Sequence, residues 1–478
     1  MGKYEDILNI ATKRGFFFPS GEIYSVKSGF WTYGHLGTLM KHKFESLWRN
    51  FFLKLSDHYY EIEDVNILSK EVFESSGHLK HFNDPLTECS KCKFRFRADE
   101  LIEDELDMNV QGMKEKELDG VINKNKLKCP ECGGKLLPVK FFNMMFDLKV
   151  GATGNEVMFL RPETAQSPYV AFKREFTALR EKLPLGLAVI GKAFRNEISP
   201  RQGFFRLREF TQAELQIFFD PENFKFSFNK NYKLKIMDRE VKCGSLKLPD
   251  FYVYHLIQVQ KFYLDILKIP KEKFRFRELK EKERAFYNKI HYDVEIKFDM
   301  LNGWKEISGV HFRGDFDLKN HKIQVNIGGK KFYPHVLELS FGVDRNILAL
   351  LDIFYKKEKE RELFLFNKNI APIEVAVFPL VNKDGLPKKS LEVYSDLKNN
   401  FSVFYDSKGS IGKMYRRMDE IGCPVMITID HQTLKDKTVT LRNRDDMKQI
   451  RVKENKLKDV IEKFFSGKKL KDLGNLIT

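Results

Sequence analysis

Between Gly191 and Glu214 the chain reads GKAFRNEISPRQGFFRLREFTQAE, and the residue types in this run could serve one chemistry. Arg195 and Glu197 stand two apart in an F-R-N-E run, and Arg206, Arg208 and Phe210 alternate downstream. On a β-strand every second side chain shares a face. Ser199-Pro200-Arg201-Gln202-Gly203 is rich in turn formers, so two strands joined by a loop are expected, the second covering Phe204 to Phe210. Such a platform presents guanidinium groups, a carboxylate and an aromatic ring together. Guanidinium pairs with phosphate, the carboxylate accepts from an exocyclic amino group and the ring stacks on a base, so the set suits ATP. A bare R-x-E is more often two surface charges; the whole run is not explained that way.

A second constellation is sulfur. Cys89-x-x-Cys92 and Cys129-x-x-Cys132, the latter in C-P-E-C-G-G, form two knuckles that could offer four thiolates to a tetrahedral Zn²⁺. A redox pair or chance spacing is the alternative reading. Cys243 and Cys423 stand alone and read as buried small hydrophobes.

The elements that must position these groups follow from periodicity. Tyr4 to Gly15 reads as an amphipathic helix. In Ser28 to Phe52 a Gly-rich turn precedes Leu39, Phe44, Leu47, Trp48 and Phe51 at helical spacing. Residues 75–140 carry the cysteines and read as an insertion; residues 220–295 read as a second one. The charged run from Tyr355 to Glu362 precedes a domain boundary near residue 370. Beyond it, residues 371–478 alternate strands and helices, as in a small α/β layer fold. The 478 residues, 42% hydrophobic and 31% charged, suit a soluble globular protein of two or three domains. A net charge of +16 favours a polyanionic partner, nucleic acid before membrane. There is no signal-peptide pattern, no apolar run of membrane-spanning length and no G-x-x-x-x-G-K-[ST] loop, so a cytoplasmic protein with no membrane partner is expected.

The run from Gly191 to Glu214 resembles motif 2 of class II aminoacyl-tRNA synthetases, and in wording it is most similar to the homodimeric type of glycyl-tRNA synthetase. LRPETAQ (160–166), GWKEISGVHFRGDFDL (303–318), LELSFGVDR (337–345) and SKGSIGKMYRRMDEIG (407–422) with TLRNRDDMKQIR (440–451) extend the resemblance over nearly the whole chain. It implies an α/β (α+β) fold: an antiparallel sheet flanked by helices in residues 1–370, with the zinc-bearing insertion, and an anticodon-binding α/β domain in residues 371–478. It implies ATP and Mg²⁺ as cofactors beside structural Zn²⁺, glycine and tRNA(Gly) as partners, and a homodimer whose interface includes the motif 1-like aromatic helix. That helix is also expected to expose more apolar surface than a monomer tolerates.

Carried over residue by residue, Arg195 would bind the α-phosphate and Glu197 the adenine amino group, with Asn196 and Leu207 beside them. Phe210 would stack on the base, and Arg206 and Arg208 would hold the polyphosphate. Arg345, the second catalytic arginine, would clamp the γ-phosphate, and Glu306 with Ile307 would face the nucleotide and its Mg²⁺. Glu163, Glu214, Glu338 and Ser340 match the glycine-site positions, Arg313 the carboxylate-binding arginine, and Arg97 a further substrate contact. Two departures stand out. The family's Ala-Asp-Arg is His311-Phe312-Arg313 here, and its Glu-Pro-Ser is Glu338-Leu339-Ser340. The implied activity is glycine–tRNA ligation. The alternative is a catalytically inactive, synthetase-like RNA-binding or polymerase accessory protein; such proteins usually lose the motif 2 or motif 3 arginine, and both are present. A different class II synthetase is disfavoured by LRPETAQ, and a class I enzyme by the lack of a nucleotide-binding βαβ unit around H-L-G-T.

Overall fold

The computed structural model describes residues 2–110, 112–200, 203–285 and 287–477. Its centre is a nine-stranded sheet built from β1 (Tyr59–Glu61), β2 (Leu185–Phe194), β3 (Glu209–Phe219), β4 (Lys233–Ile236), β5 (Arg239–Lys242), β6 (Phe274–Glu278), β7 (Ile290–Phe298), β8 (Gly303–Gly314) and β9 (His335–Gly342). Across the sheet the order is β5-β4-β6-β7-β8-β9-β3-β2-β1. All neighbours are antiparallel except β1 with β2 and β4 with β6. The segment expected as a second insertion thus supplies the strands of one sheet edge.

Alternation within the central strands separates core from site. On β3, Ala213, Leu215, Ile217 and Phe219 enter the hydrophobic core, while Gln212, Glu214 and Gln216 face the other way. On β9, Leu337, Leu339 and Phe341 are buried in that core and Glu338 and Ser340 are not part of it. The helices α1 (His35–Phe52), α2 (Gln166–Ala178), α3 (Asp250–Lys261) and α4 (Val343–Phe354) flank the sheet. On α1, Met40, Phe44, Trp48 and Phe52 lie in the chain's own core, with Trp48 and Phe52 against Phe341. The apolar exposure expected of this helix is therefore confined mainly to Leu39.

Residues 75–140 carry the four cysteines beside a small core of their own that includes Phe96, Leu101, Ile102, Leu118 and Ile122. The C-terminal residues form a six-stranded sheet opening with Val375–Pro379. Here too alternation divides the labour: Val375 and Val377 enter a separate C-terminal core, whereas Ala376 and Phe378 join the main one. Arg361 reaches Asp419 at 3.0 Å in the interior, and Arg444 donates to the carbonyls of Phe366 and Gly422. The boundary near residue 370 is thus crossed by buried polar and apolar contacts. Cys243 and Cys423 are buried, as expected of small hydrophobes.

Candidate active site

One cavity gathers most of the residues singled out in the sequence. Its walls include Arg195, Glu197, Arg206, Leu207, Phe210, Glu306, Ile307 and Arg345 towards one end, and Glu163, Glu214, Glu338 and Ser340 towards the other. Asn196, Arg208, Arg97 and Arg313 do not line it.

The cationic end is built on the β2–β3 turn and the start of α4. Arg195 follows β2 directly; its Nε donates to the Pro162 carbonyl at 3.1 Å, and its guanidinium lies 5.2 Å from the Phe210 ring. Arg345, in the first turn of α4, donates to the Glu306 carbonyl at 3.1 Å and lies over Phe205. Burial, reinforced by Arg195 and Arg206 across the cavity, holds its guanidinium below the ordinary value even with Glu306 opposing. Mutually repelling cations facing one space favour an anion between them. Among the described residues the buried Oε2 of Glu197 accepts no hydrogen bond, with Arg206 Nε 4.0 Å away, and Glu197 lines the cavity as an acceptor. Glu306, half exposed, stands at the rim.

The segment expected as a strand from Phe204 to Phe210 divides. Gly203–Phe205 is a short 3₁₀ turn and β3 begins at Glu209, because Phe204 stacks on Phe17 and Phe205 packs against Phe298. Arg201 and Gln202 of the turn-prone loop lie outside the described residues. Arg208 consequently turns away from the cavity: it donates to the carbonyls of Glu197 and Ser28 and braces the turn. Arg206 pairs with Glu100 of the cysteine-bearing segment. Ser199 donates to the Arg95 carbonyl, and the Asn196 backbone N–H donates to the Met144 carbonyl. Arg97 sits in that same segment, paired with Asp99 and Asp84.

At the acidic end three carboxylates converge. Ser340 Oγ donates to Glu214 Oε1 at 2.6 Å and Thr164 Oγ1 to Oε2 at 2.7 Å. Gln216 and Arg313 donate to Glu338 Oε2 at 2.9 and 3.2 Å. Glu163 accepts from Gln166 at 3.0 Å and faces His78. Burial, with Glu338 and Glu163 close by, pushes the Glu214 carboxyl up to about 8. Burial raises Glu338 too, against the pull of Arg313. Burial acts upward on Glu163 as well, but His78 and Arg313 outweigh it and hold that carboxyl well below the ordinary range. The end is therefore anionic but not fully ionised. Arg313 is held behind Glu338 by Asp317 and does not face the cavity. Arg161, not singled out in the sequence, is the clamp for Pro162-Glu163-Thr164. It is buried and donates to the Lys192 carbonyl and Ser167 hydroxyl, in space that a Cβ on Gly191 would fill.

The four cysteine sulfurs of the knuckles lie within 4.8 Å of one another. A Cβ at Gly134 would come 2.8 Å from Cys89 Sγ and 3.3 Å from Cys132 Sγ, so glycine there keeps room for the cluster. Four thiols converging in this way fit a tetrahedral metal.

Comparison with known proteins identifies the fold and the family. The tRNA synthetase class II core domain (G, H, P, S and T) matches residues 148–354, and the anticodon binding domain matches residues 374–464. The glycine–tRNA ligase of Thermococcus gammatolerans is 37% identical, covering 97% of this chain and 99% of the relative. That of Pyrococcus horikoshii is 38% identical, with coverage of 96% and 99%. The first alignment spans 567 positions, more than the chain's 478 residues, so that relative carries segments this chain lacks. Among solved structures, prolyl-tRNA synthetase from Cryptosporidium parvum complexed with L-proline and AMP superposes with a TM-score of 0.64 over 97% of this chain and 75% of that one. At 13% identity it shows the shared fold alone.

Sheet, cavity and C-terminal module together define a class II aminoacyl-tRNA synthetase. Within that class, the chain belongs to the glycine–tRNA ligase family.

Proposed function

We propose that the chain activates glycine with ATP to glycyl-adenylate and diphosphate, and then transfers glycine to the 3′ end of tRNA(Gly). The observation that carries this reading is the two-ended cavity: arginines with the rings of Phe205 and Phe210 at one end, three buried glutamates at the other. Glycine brings an α-ammonium for the glutamates and an ionised carboxylate that attacks the α-phosphate, expelling diphosphate. The attacking carboxylate is already charged, so no base is required; positioning and charge neutralisation do the work.

In this reading Arg195 holds the α-phosphate and stabilises charge building there. Arg345 clamps the far phosphate, Phe210 stacks on adenine, and Glu197 Oε2 accepts from the adenine amino group. Arg206 reaches the phosphates by leaving Glu100. Glu306 offers Mg²⁺ an oxygen ligand, and the ion would supply charge neutralisation at the phosphates. Glu163, Glu214 and Glu338 bind the α-ammonium, with Ser340 orienting Glu214. Arg313 acts through Glu338, and Arg97 and Arg208 support the walls. Zn²⁺ on Cys89, Cys92, Cys129 and Cys132 would cross-link the two knuckles of the 75–140 segment. Residues 371–478 bind the anticodon with their lysine-rich surface, and residues 1–370 carry the chemistry. A homodimer is part of the reading, with the exposed Ile23, Tyr24 and Val26 loop offering apolar surface for it. Translation places the work in the cytosol; among the described residues no helix is long and apolar enough to cross a membrane.

The inactive, RNA-binding alternative is not favoured, because Arg195 and Arg345 both line the cavity. Glycylation of tRNA(Gly) by the purified chain tests the proposal. Failure of a folded preparation to charge it in the presence of ATP and Mg²⁺ would overturn the reading.

A further inference from the structure

Asp419 lies in the interior and is shared by two buried arginines, one on each side of the boundary near residue 370. It stands on the helix Ile411–Ile421. Arg442, on the strand Thr438–Asn443, donates to Oδ1 at 2.9 Å and to Oδ2 at 3.2 Å, and its guanidinium lies 4.7 Å from the Tyr415 ring. Arg361 comes from the other side, just before the strand Glu362–Phe364. Its Nη1 donates to Asp419 Oδ2 at 3.0 Å and to the Arg444 carbonyl at 2.8 Å, and its Nη2 to the Asp445 carbonyl at 3.3 Å. Its Nε turns back to Glu358 at 2.7 Å. The same helix enters the main core through Met414, Met418 and Ile421, and its Glu420 pairs with Arg14 of the N-terminal helix Lys3–Arg14 at 2.6 Å. Apolar contacts are non-directional and hold the C-terminal module close; a planar guanidinium fork is directional and fixes how the module is turned.

We propose that Asp419 is a positioning residue for the transfer step: it sets the orientation of the C-terminal module, so that a tRNA bound there delivers its 3′ end to the cavity. The proposal rests on the reading of residues 371–478 as the RNA-binding module. The residues lining the cavity all lie between Glu163 and Arg345, so glycine activation proceeds without Asp419. Transfer differs, because its nucleophile, a ribose hydroxyl at the 3′ end, is carried by an RNA held partly on the C-terminal module. Reaction between positioned groups falls steeply with misplacement, roughly 10²-fold for about 1 Å. A small rotation at the module boundary is enlarged along the length of the RNA.

The test sets the two half-reactions against each other in one variant. In Asp419→Asn, which keeps the shape and removes the charge, glycine-dependent ATP–diphosphate exchange stays at the parent's level. The single-turnover rate of transfer from glycyl-adenylate to tRNA(Gly) falls roughly 10- to 100-fold. The Kd for tRNA(Gly), read by filter binding, stays close to the parent's, because no RNA contact is removed. Arg361→Gln breaks the same link from the other side, leaves Asp419 on Arg442 and shows the same split; it carries the test if Asp419→Asn does not fold. Arg361→Lys, which keeps a cation for Asp419, recovers part of the transfer rate. Exchange that falls in step with transfer overturns the proposal, since Asp419 would then hold the fold as a whole; so does transfer at the parent's rate. A weaker tRNA affinity with the transfer rate intact also overturns it and places Asp419 in RNA binding. A parent protein that binds and charges tRNA(Gly) equally well after its anticodon bases are replaced would instead contradict the reading of the C-terminal module. That experiment uses no variant of the protein, so the two failures are told apart.

Discussion

Asp317 grips Arg313 through two hydrogen bonds of 2.7 Å, to Nε and Nη2, in the interior of the chain. Nη1 continues to Glu338, and the Tyr287 ring lies 3.8 Å from the guanidinium carbon. Phe312, standing where the family motif has an acidic residue, points to the opposite face and packs on Phe251. The carboxylate that holds Arg313 thus comes from Asp317, four residues on, and not from its neighbour.

Asp317→Ala should therefore destabilise the chain by about 3–5 kcal/mol, because it strands a buried cation beside the remaining Glu338. Chemical denaturation checks this; a loss of less than about 1 kcal/mol, the worth of an exposed pair, would show that Asp317 does not hold the arginine.

The raised carboxyl of Glu214 makes two pH statements. Its folded pKa of about 8 lies above the ordinary 4.5, so its contribution to stability is fully present below 4.5 and is lost as pH rises through 8. Function runs the other way: the α-ammonium is bound more tightly as the carboxylate ionises. The kcat/KM for glycine should rise with pH to a plateau above about 8, and Glu214→Gln should erase that inflection. An identical profile in the variant would assign the titration elsewhere.

Arg195→Ala should lower kcat for activation by at least about 10²–10³, the cost of removing one preorganised charge from a transition state. Thermal melting should be nearly unchanged, since among the described residues the Arg195 side chain makes one hydrogen bond, to a carbonyl, and two contacts with rings. A modest rise in the KM for ATP with kcat intact would place Arg195 in binding alone.

Protein purified without chelator should hold about one zinc per chain, and Cys89→Ser should lose it. Metal removal should also raise the KM for ATP, because the 75–140 segment reaches the β2–β3 turn through Glu100–Arg206 and through Ser199 on the Arg95 carbonyl. Metal-free protein with unaltered ATP kinetics would uncouple the two sites.

Much of the site was legible because it lies in contiguous runs. F-R-N-E, the LRPETAQ run and the E-L-S of β9 each place their charges by local alternation. The core helix α1 and the C-terminal helix Ile411–Ile421 follow from periodicity, close to their observed bounds. What stayed hidden depends on register or long-range packing. Gly309 facing Ser340 and His311 facing Glu338 depend on the β8–β9 register, which no local pattern encodes. Arg208 left the nucleotide side because Phe204 and Phe205 are drawn into the core and break the expected strand. The aromatic face of α1 suggested exposed apolar surface, whereas its Phe44, Trp48 and Phe52 are buried under the sheet. Asp317 was within sight, four residues from Arg313, but pairing across a strand–helix junction cannot be read from spacing alone.

The most direct test of the central claim is ATP–diphosphate exchange by the purified chain with each of the twenty amino acids in turn. Glycine alone should support exchange, with L-alanine far below it. Exchange driven by another amino acid, or no exchange with glycine from folded protein, would contradict the assignment of the two-ended cavity.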